Sequence, residues 1–221
     1  MEEMRESNLT KEVLLIDKPK GLTSFDVIRI LRKKLGVKKM GHSGTLDPLA
    51  TGLMLVGVGE GTKKLQSLIK LPKTYEASVL LGVRTATGDL EGEVVESKKI
   101  SDLDCDEAKK VILGLEGKIA LRVPAYSAVK VGGKRLYKLA RSGEKFLPPV
   151  KEMEILKSEF KGCFKDRGNY VVKVTLEVSS GTYIRSIAEE IGRRLGLPAT
   201  LSELRRTRIG EYEVKDAMRL D

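Results

Sequence analysis

Between Tyr170 and Leu195 the apolar period of the chain changes from two residues to that of a helix. Tyr170, Val172, Val174, Leu176 and Val178 fall on one face of a strand, and Lys173, Thr175 and Glu177 on the other. A strand that is apolar on one face only belongs in an antiparallel sheet with one covered side. Directly after it, Ile184, Ile187, Ala188, Ile191 and Leu195 form a stripe along a helix expected over Thr182–Leu195. Glu189 with Arg193 and Glu190 with Arg194 are spaced as i,i+4 pairs on its expected wet side. A half-covered sheet and a one-sided helix must hide their apolar surfaces against each other or against like elements.

The same two periods recur along the chain. Strands are expected at Glu12–Ile16, Leu53–Val58, Tyr75–Leu81 and Met153–Phe160. Helices are expected at Ser24–Leu35, capped by Ser24, at Thr62–Leu71, and from Asp104 to Leu113. They alternate without a βαβ rhythm, so the fold class is α+β, a mixed and mostly antiparallel sheet flanked by helices. No repeat or low-complexity linker divides the 221 residues. No apolar run reaches the ~20 residues of a membrane span, and Met1–Glu12 lacks an apolar signal core. Cys105 and Cys163 lie far apart without CxxC spacing, which argues against a metal site and fits a reducing cytoplasm. Abundant Lys, Arg and Glu beside a single Gln lean toward a heat-adapted source.

A net charge of +10 favours polyanionic partners, either nucleic acid or an acidic membrane surface. Opposite its apolar stripe, the 24–35 helix carries Arg29, Arg32 and Lys33, with Lys38 and Lys39 beyond it. A second basic stretch, Val123–Leu147, contains Tyr126 and Tyr137 and is punctuated by Gly132-Gly133. Basic residues interleaved with aromatics suit a segment that closes over RNA; a solvated helical hairpin has the same composition. Gly57-Val58-Gly59-Glu60-Gly61-Thr62-Lys63 is glycine-rich but matches neither nucleotide-loop spacing, and Glu60 would oppose a phosphate.

Chemistry concentrates between Gly41 and Met54. The only histidine, His42, stands five residues before Asp47-Pro48, and Gly41, Gly44 and Gly52 make the stretch a loop. Pro48 biases Asp47 to an extended backbone, so its carboxylate is held outward. Ser43 beside His42 shows no nucleophile-elbow pattern. His42 could serve as a base or simply stack, and Asp47 could react or simply form a turn.

The joint pattern Gly41-His42-x-Gly44-Thr45-Leu46-Asp47-Pro48-x-Ala50-x-Gly52 resembles the catalytic motif of the TruB family, the bacterial tRNA pseudouridine(55) synthases. Asp17-Lys18-Pro19-x-Gly21-x-x-Ser24, Gly59-Glu60-Gly61-Thr62-Lys63 and Lys73-x-Tyr75 are similar to further motifs of that family. So are Pro124-x-Tyr126-Ser127-Ala128-x-Lys130, Gly181-Thr182-Tyr183-Ile184-Arg185 and Leu204-Arg205-Arg206, all in the family's order.

The resemblance implies a single catalytic domain over 1–221 with a mobile, basic RNA-gripping insertion at about 123–150. It implies isomerisation of uridine 55 in the tRNA T loop, without metal or cofactor, membrane or obligatory protein partner, by a monomer in the cytoplasm. Asp47 aligns with the reacting carboxylate, Arg185 with the arginine that pairs with it, and Tyr75 with the aromatic stacked on the flipped uracil. Phenylalanine at 75 is expected to keep the stacking and lose a proton transfer. Tyr183 and Leu204 align with residues of the base pocket. Lys18 and Lys63 align with basic or motif-supporting positions near the aspartate, and Tyr126 and Lys130 belong to the RNA-gripping insertion. His42 fits a plug that stacks where the extracted base stood. Two departures stand out: Val123 replaces a proline before Pro124, and Asp221 is the last residue where relatives continue into a PUA-type RNA-binding domain. An RNA-binding factor and a nucleoside or glycoside hydrolase using the same carboxylate are the competing readings.

Overall fold

A computed structural model of the chain describes residues 12–144, 146–166 and 168–220. It opens with β1 (Val13–Lys18), α1 (Ser24–Leu35), β2 (Met40–His42) and β3 (Thr51–Val58). A 3-10 turn (Gly59–Lys64) then leads to α2 (Leu65–Lys70), β4 (Lys73–Leu81), β5 (Val83–Thr85) and β6 (Val94–Ser97). Next come α3 (Cys105–Leu113), β7 (Gly117–Arg122), β8 (Lys130–Val131), β9 (Lys134–Arg135) and α4 (Leu136–Arg141). The chain finishes with β10 (Val150–Asp166), β11 (Asn169–Val178), α5 (Ile184–Arg194), β12 (Ala199–Ile209) and β13 (Tyr212–Glu213). The class is α+β with a mostly antiparallel sheet, as the periods require. Two compact units emerge: one runs up to Glu76 and resumes at Leu204, the other is Ala77–Glu203.

In the first unit, β3 is flanked by β1, antiparallel from Val13↔Gly57 to Lys18↔Gly52, and by β12, parallel at Arg205↔Thr51 and Arg206↔Gly52. The short β2 also pairs with β3, His42 opposite Val56. Leu53, Leu55, Leu68 and Ile209 form a buried cluster covered by Val13, Leu15, Leu65 and Leu71. The N-cap of α1 lies one residue before the expected Ser24, which is the first residue of the helix. Thr23 is the N-cap and exchanges hydrogen bonds with Asp26 in a capping box, because the Asp three residues on answers Thr23 and not Ser24. The helix expected over Thr62–Leu71 divides into the 3-10 turn and α2. Gly61 lies so close to β1 that a Cβ there would stand 1.7 Å from the Glu12 carbonyl oxygen, and this tight approach sets the turn.

In the second unit the order is β4-β11-β10-β7, with β10 antiparallel to both neighbours. Val172, Val174, Leu176 and Val178 are buried, as their alternation requires, and so are Ile184, Ile187 and Ile191 of α5. Of the expected wet side of α5, Glu189, Arg193 and Arg194 are exposed and Glu190 is buried, as are Arg185 and Ser186. Gly192 lets the returning chain pack against the helix, since a Cβ there would fall 2.6 Å from the Leu197 carbonyl oxygen. The expected Glu190–Arg194 pair forms at 2.8 Å, and Arg193 also turns to Glu190, at 2.6 Å. Burial alone would raise the Glu190 pKa, but hydrogen bonds from these arginines outweigh it and hold the carboxyl below its ordinary value. The basic stretch forms a β8–β9 hairpin and the short α4 rather than a helical hairpin. Gly132 and Gly133 both have positive φ, the pair of left-handed residues that a two-residue hairpin turn prefers. Leu136 and Leu139 anchor it on Val123, with Val129 and Phe146 around them.

The cysteines are also not as expected. Cys105, the first residue of α3, is disulfide-bonded to Cys163 of β10, their Cα atoms 5.7 Å apart. A separation of 58 residues hides such a pair from spacing rules, and the bond removes the argument for a reducing compartment that rested on cysteine spacing. The bond closes a covalent loop containing β7, the basic hairpin, α4 and most of β10. Loops of this size restrict the unfolded chain by about 2–4 kcal/mol. Reduction, or Cys105→Ser with Cys163→Ser, is therefore expected to lower Tm by roughly 4–16 °C. Calorimetry with and without reductant checks this, and coincident melting curves would contradict it.

Candidate active site

The first unit holds Asp47, His42, Lys18, Lys63, Tyr75 and Leu204; the second holds Arg185, Tyr183, Tyr126 and Lys130. In the first, Asp47 opens a tight turn: the Ala50 N–H donates to the Asp47 carbonyl at 3.0 Å, with Pro48 at the second position. Proline's fixed φ suits that position, and Asp is favoured at the first.

The turn is fastened on both sides by buried polar groups. Before it, the Ser24 hydroxyl donates to the Leu46 carbonyl at 3.0 Å and accepts from the Leu46 N–H at 2.8 Å. Behind it, the Pro48 carbonyl accepts from the Gly21 N–H at 2.8 Å and from Lys18 Nζ at 3.4 Å. Lys18 is wholly buried and also donates to the carbonyls of Leu22 at 2.7 Å and Pro19 at 3.0 Å. Its ammonium thus braces the backbone around Asp47. Asp17, one residue earlier, faces the other way and forms a two-point ion pair with Arg205 at 2.7 and 3.1 Å.

Arg206, next along β12, is 1% exposed and directs its guanidinium inward. Its Nε donates to the Leu53 carbonyl at 2.7 Å and a terminal nitrogen to the Gly44 carbonyl at 3.2 Å, so it joins the loop between β2 and β3 to β3 itself. Gly52 lets β12 come this close, since any Cβ there would meet the Arg206 carbonyl oxygen at 2.3 Å. His42 leaves β2 just before this loop. The Gly44 N–H lies 3.4 Å from His42 Nδ1. Burial, reinforced by the charge of Arg206, holds the imidazole below its ordinary pKa of 6.5.

Tyr75 lies on β4 in register with Lys73, and both side chains are buried. Lys73 donates to the carbonyls of Ile69 and Leu71 at 2.5 and 2.6 Å. Burial, with Arg206 adding repulsion, pushes its pKa down to about 8. Leu204 is half-buried beside Thr51, whose hydroxyl donates to its carbonyl at 3.5 Å. Lys63 is exposed and paired with Glu60 at 2.5 Å, which Lys39 also reaches at 2.8 Å.

In the second unit, Arg185 stands in the first turn of α5, where the helix dipole disfavours a cation. Three acceptors offset this. One terminal nitrogen donates to the Thr87 carbonyl at 2.7 Å and the other to the Tyr126 carbonyl at 3.1 Å, while Nε lies 3.7 Å from the Asp89 carboxylate. Asp89 is itself buried and accepts from the Thr87 hydroxyl at 2.6 Å and the Glu91 N–H at 3.1 Å. Tyr126 therefore enters through its backbone. Tyr183 is the N-cap of α5 and packs against the Val123–Leu136–Leu139 cluster, while Lys130 is exposed on β8. Among the described residues, no group of His, Cys, Asp and Glu is arranged to hold a metal ion.

The sequence assigns no role to the braces Arg206, Lys73 and Asp89, and to Ser24 only that of a helix cap. Ser24 was visible as part of a motif, and Lys73 sits two residues from Tyr75, the spacing of one strand face. Asp89 carried no local signal.

A family profile described as "TruB family pseudouridylate synthase (N terminal domain)" matches residues 32–184. The chain belongs to the TruB family. It is 42% identical over 207 residues to the tRNA pseudouridine synthase B of Endomicrobium trichonymphae, covering 94% of this chain and 88% of that protein. It is also 42% identical over 209 residues to the tRNA pseudouridine synthase B of Aquifex aeolicus, covering 94% and 71%. Among solved structures, the chain superposes on a component of a Cbf5–Nop10–Gar1 complex with a TM-score of 0.69 and 30% identity, covering 94% of this chain and 52% of that one. A chain of an H/ACA RNP bound to a substrate RNA containing 2′-deoxyuridine gives 0.69 at 27% identity, covering 99% and 54%. This chain thus spans about half the length of those two structures. No helix among the described residues is long and apolar enough to cross a membrane.

Two outcomes follow. With its pKa lowered on folding, His42 binds its proton more weakly folded than unfolded, so stability is lost as pH falls below about 6.5 toward the folded value. As the single imidazole in the chain, it gives one Hε1 signal by proton NMR. A midpoint below 6.5 is expected; one above it would refute the neutral imidazole. Ser24→Ala leaves the buried Leu46 N–H and carbonyl unpaired and should cost about 1–3 kcal/mol in urea unfolding. An unchanged midpoint would show that the loop does not depend on Ser24.

Proposed function

We propose that the protein is a tRNA pseudouridine synthase that converts uridine 55 of the T loop to pseudouridine, working in the cytoplasm as a monomer without metal or cofactor. The observation that carries this reading is the fastened Asp47–Pro48 turn, within a chain of this family. The reaction breaks the bond from uracil N1 to ribose C1′, turns the ring, joins C5 to C1′, releases the C5 proton to water and places a proton from water on the freed N1. Asp47 supplies the carboxylate, which either traps C1′, as in retaining glycosidases, or removes a proton from the sugar. Positioning is most of what such a group needs, because a reacting atom held in place avoids the entropy of finding it.

Arg185 supplies the positive charge that keeps a reacting carboxylate ionised. Tyr75 stacks on the extracted uracil and takes part in removing the C5 proton, with Leu204 and Tyr183 bounding the base. His42, uncharged, takes the vacated place in the RNA stack, recovering part of the few kcal/mol that unstacking costs. Lys63, Lys130 and Tyr126 serve RNA contact through the exposed loop and the basic hairpin at 123–150.

Asp47→Asn is expected to abolish tritium release from RNA carrying 5-tritiated uridine in a T-arm stem-loop, while binding of that RNA changes little. Undiminished release would remove Asp47 from the reaction. Free uracil in the wild-type reaction would identify a hydrolase instead, and RNA binding without any release by the wild type would identify a binding factor.

A further inference from the structure

The basic face of α1 has no role in the chemistry above. Between Pro19 and Met40 the sequence holds seven Lys or Arg and one acid, a net +6 of the chain's +10. Around α1, Phe25, Arg29, Arg32 and Lys33 share the solvent side, opposite the buried Val27, Ile28 and Leu31. Phe25 is 57% exposed, and the Arg32 guanidinium lies over its ring at 5.8 Å.

Ordinary helix physics accounts for part of this. Arg32, Lys33 and Lys34 occupy the last turn, where the dipole favours cations, and Arg29 pairs with Asp26. It does not account for Lys20 and Lys38, which flank the helix. Lys20, Lys33 and Lys38 are all exposed, and none has an ion-pair partner among the described residues. Arg29 and Lys33 are also like charges at i,i+4, an arrangement that disfavours an isolated helix. Lys20, Lys33 and Lys38 therefore stand in solvent without an anion among the described residues.

The location of this face identifies the anion. Ser24 starts α1 and is hydrogen-bonded to Leu46, next to Asp47, while β2 ends at His42, five residues before Asp47. The segment thus leaves the reacting loop and returns to it, with a helix about 18 Å long between. We infer that the Phe25–Arg29–Lys33–Lys38 face binds the phosphate backbone of the substrate RNA alongside its reacting loop, as a contact additional to the basic hairpin. Exposed cations beside an aromatic are the surface that RNA backbones and unstacked bases accept. This rests on the substrate being RNA.

The test is binding of a T-arm stem-loop across a salt series by full-length wild type, Lys33→Gln/Lys38→Gln, Lys33→Arg/Lys38→Arg and a control, Lys109→Gln/Lys110→Gln. The control removes two exposed charges from α3. Loss of two phosphate contacts lowers the slope of log K against log salt by about 1.8 and raises Kd at ~0.1 M salt by on the order of tenfold or more. The arginine pair is expected to restore both, and the α3 control to stay within about twofold of wild type. Kd and slope equal to wild type in the 33/38 glutamine pair would overturn the inference. So would an equal loss in the control, which would reduce the effect to net charge, or a loss in kcat with Kd unmoved. Wild-type tritium release in the same preparation separates this outcome from failure of the pseudouridine synthase reading itself.

Discussion

A glycine-rich loop is a poor place for a reacting carboxylate unless something removes its freedom, and here buried side chains bonded to backbone carbonyls do so. Lys18 and Ser24 hold the residues on either side of Asp47, and Arg206 holds Gly44 a few residues upstream. Fixing one residue's backbone costs about 1–2 kcal/mol, so a loop of this length would otherwise sample many conformations. Neutral hydroxyls alone could satisfy the carbonyls. The choice of two fully buried cations adds a positive background within the same unit as Asp47. Their desolvation is offset by aligned carbonyl dipoles, the condition under which a buried charge is tolerable.

Strand alternation distributes these groups. Arg205 and Arg206 are neighbours in β12, yet one pairs with Asp17 and the other enters the interior toward Gly44 and Leu53. Lys73 and Tyr75, two apart on β4, share a buried face, so a lysine of lowered pKa and the candidate tyrosine are fixed by one register. A slip of one residue in either strand would exchange these roles, which makes the sheet register part of the site. The second unit repeats the logic on a helix: Arg185 is placed against the dipole of α5 and steadied by Asp89 and two carbonyls.

The elements were legible wherever one face is dry and the other wet. Tyr170–Val178 shows both faces in its sequence, and β11 follows it. The 182–195 helix follows its apolar stripe, and Glu189, Arg193 and Arg194 of its polar side are exposed as that stripe requires. Glu190 alone of that side is buried, where both arginines reach it, and periodicity does not distinguish such a paired carboxylate from a solvated one. The candidate site was legible because its residues lie in short local motifs. What escaped were contacts between distant segments, namely Ser24 with Leu46, Asp89 with Arg185, and Cys105 with Cys163. Local residue preferences encode turns and caps, but pairings across scores of residues are set by how the strands pack.

This division also changes how the net charge is to be understood. Lys18, Lys73, Arg185 and Arg206 are all buried. Their donors are committed to carbonyls, or in Arg185 also to a carboxylate, and contribute to the interior field rather than to contact with a polyanion. Exposed pairs such as Lys39 and Lys63 with Glu60 are partly neutralised as well. The charge available to phosphate therefore lies where exposed cations have no such partner among the described residues, as Lys20, Lys33 and Lys38 do around α1 and Lys130 does on the basic hairpin. Counting basic residues indicates that a polyanion binds; only their burial and partners indicate where. On that criterion, segment 19–42 has a double function, since its inner side fastens the carboxylate turn while its outer side remains open to the RNA that the turn must meet.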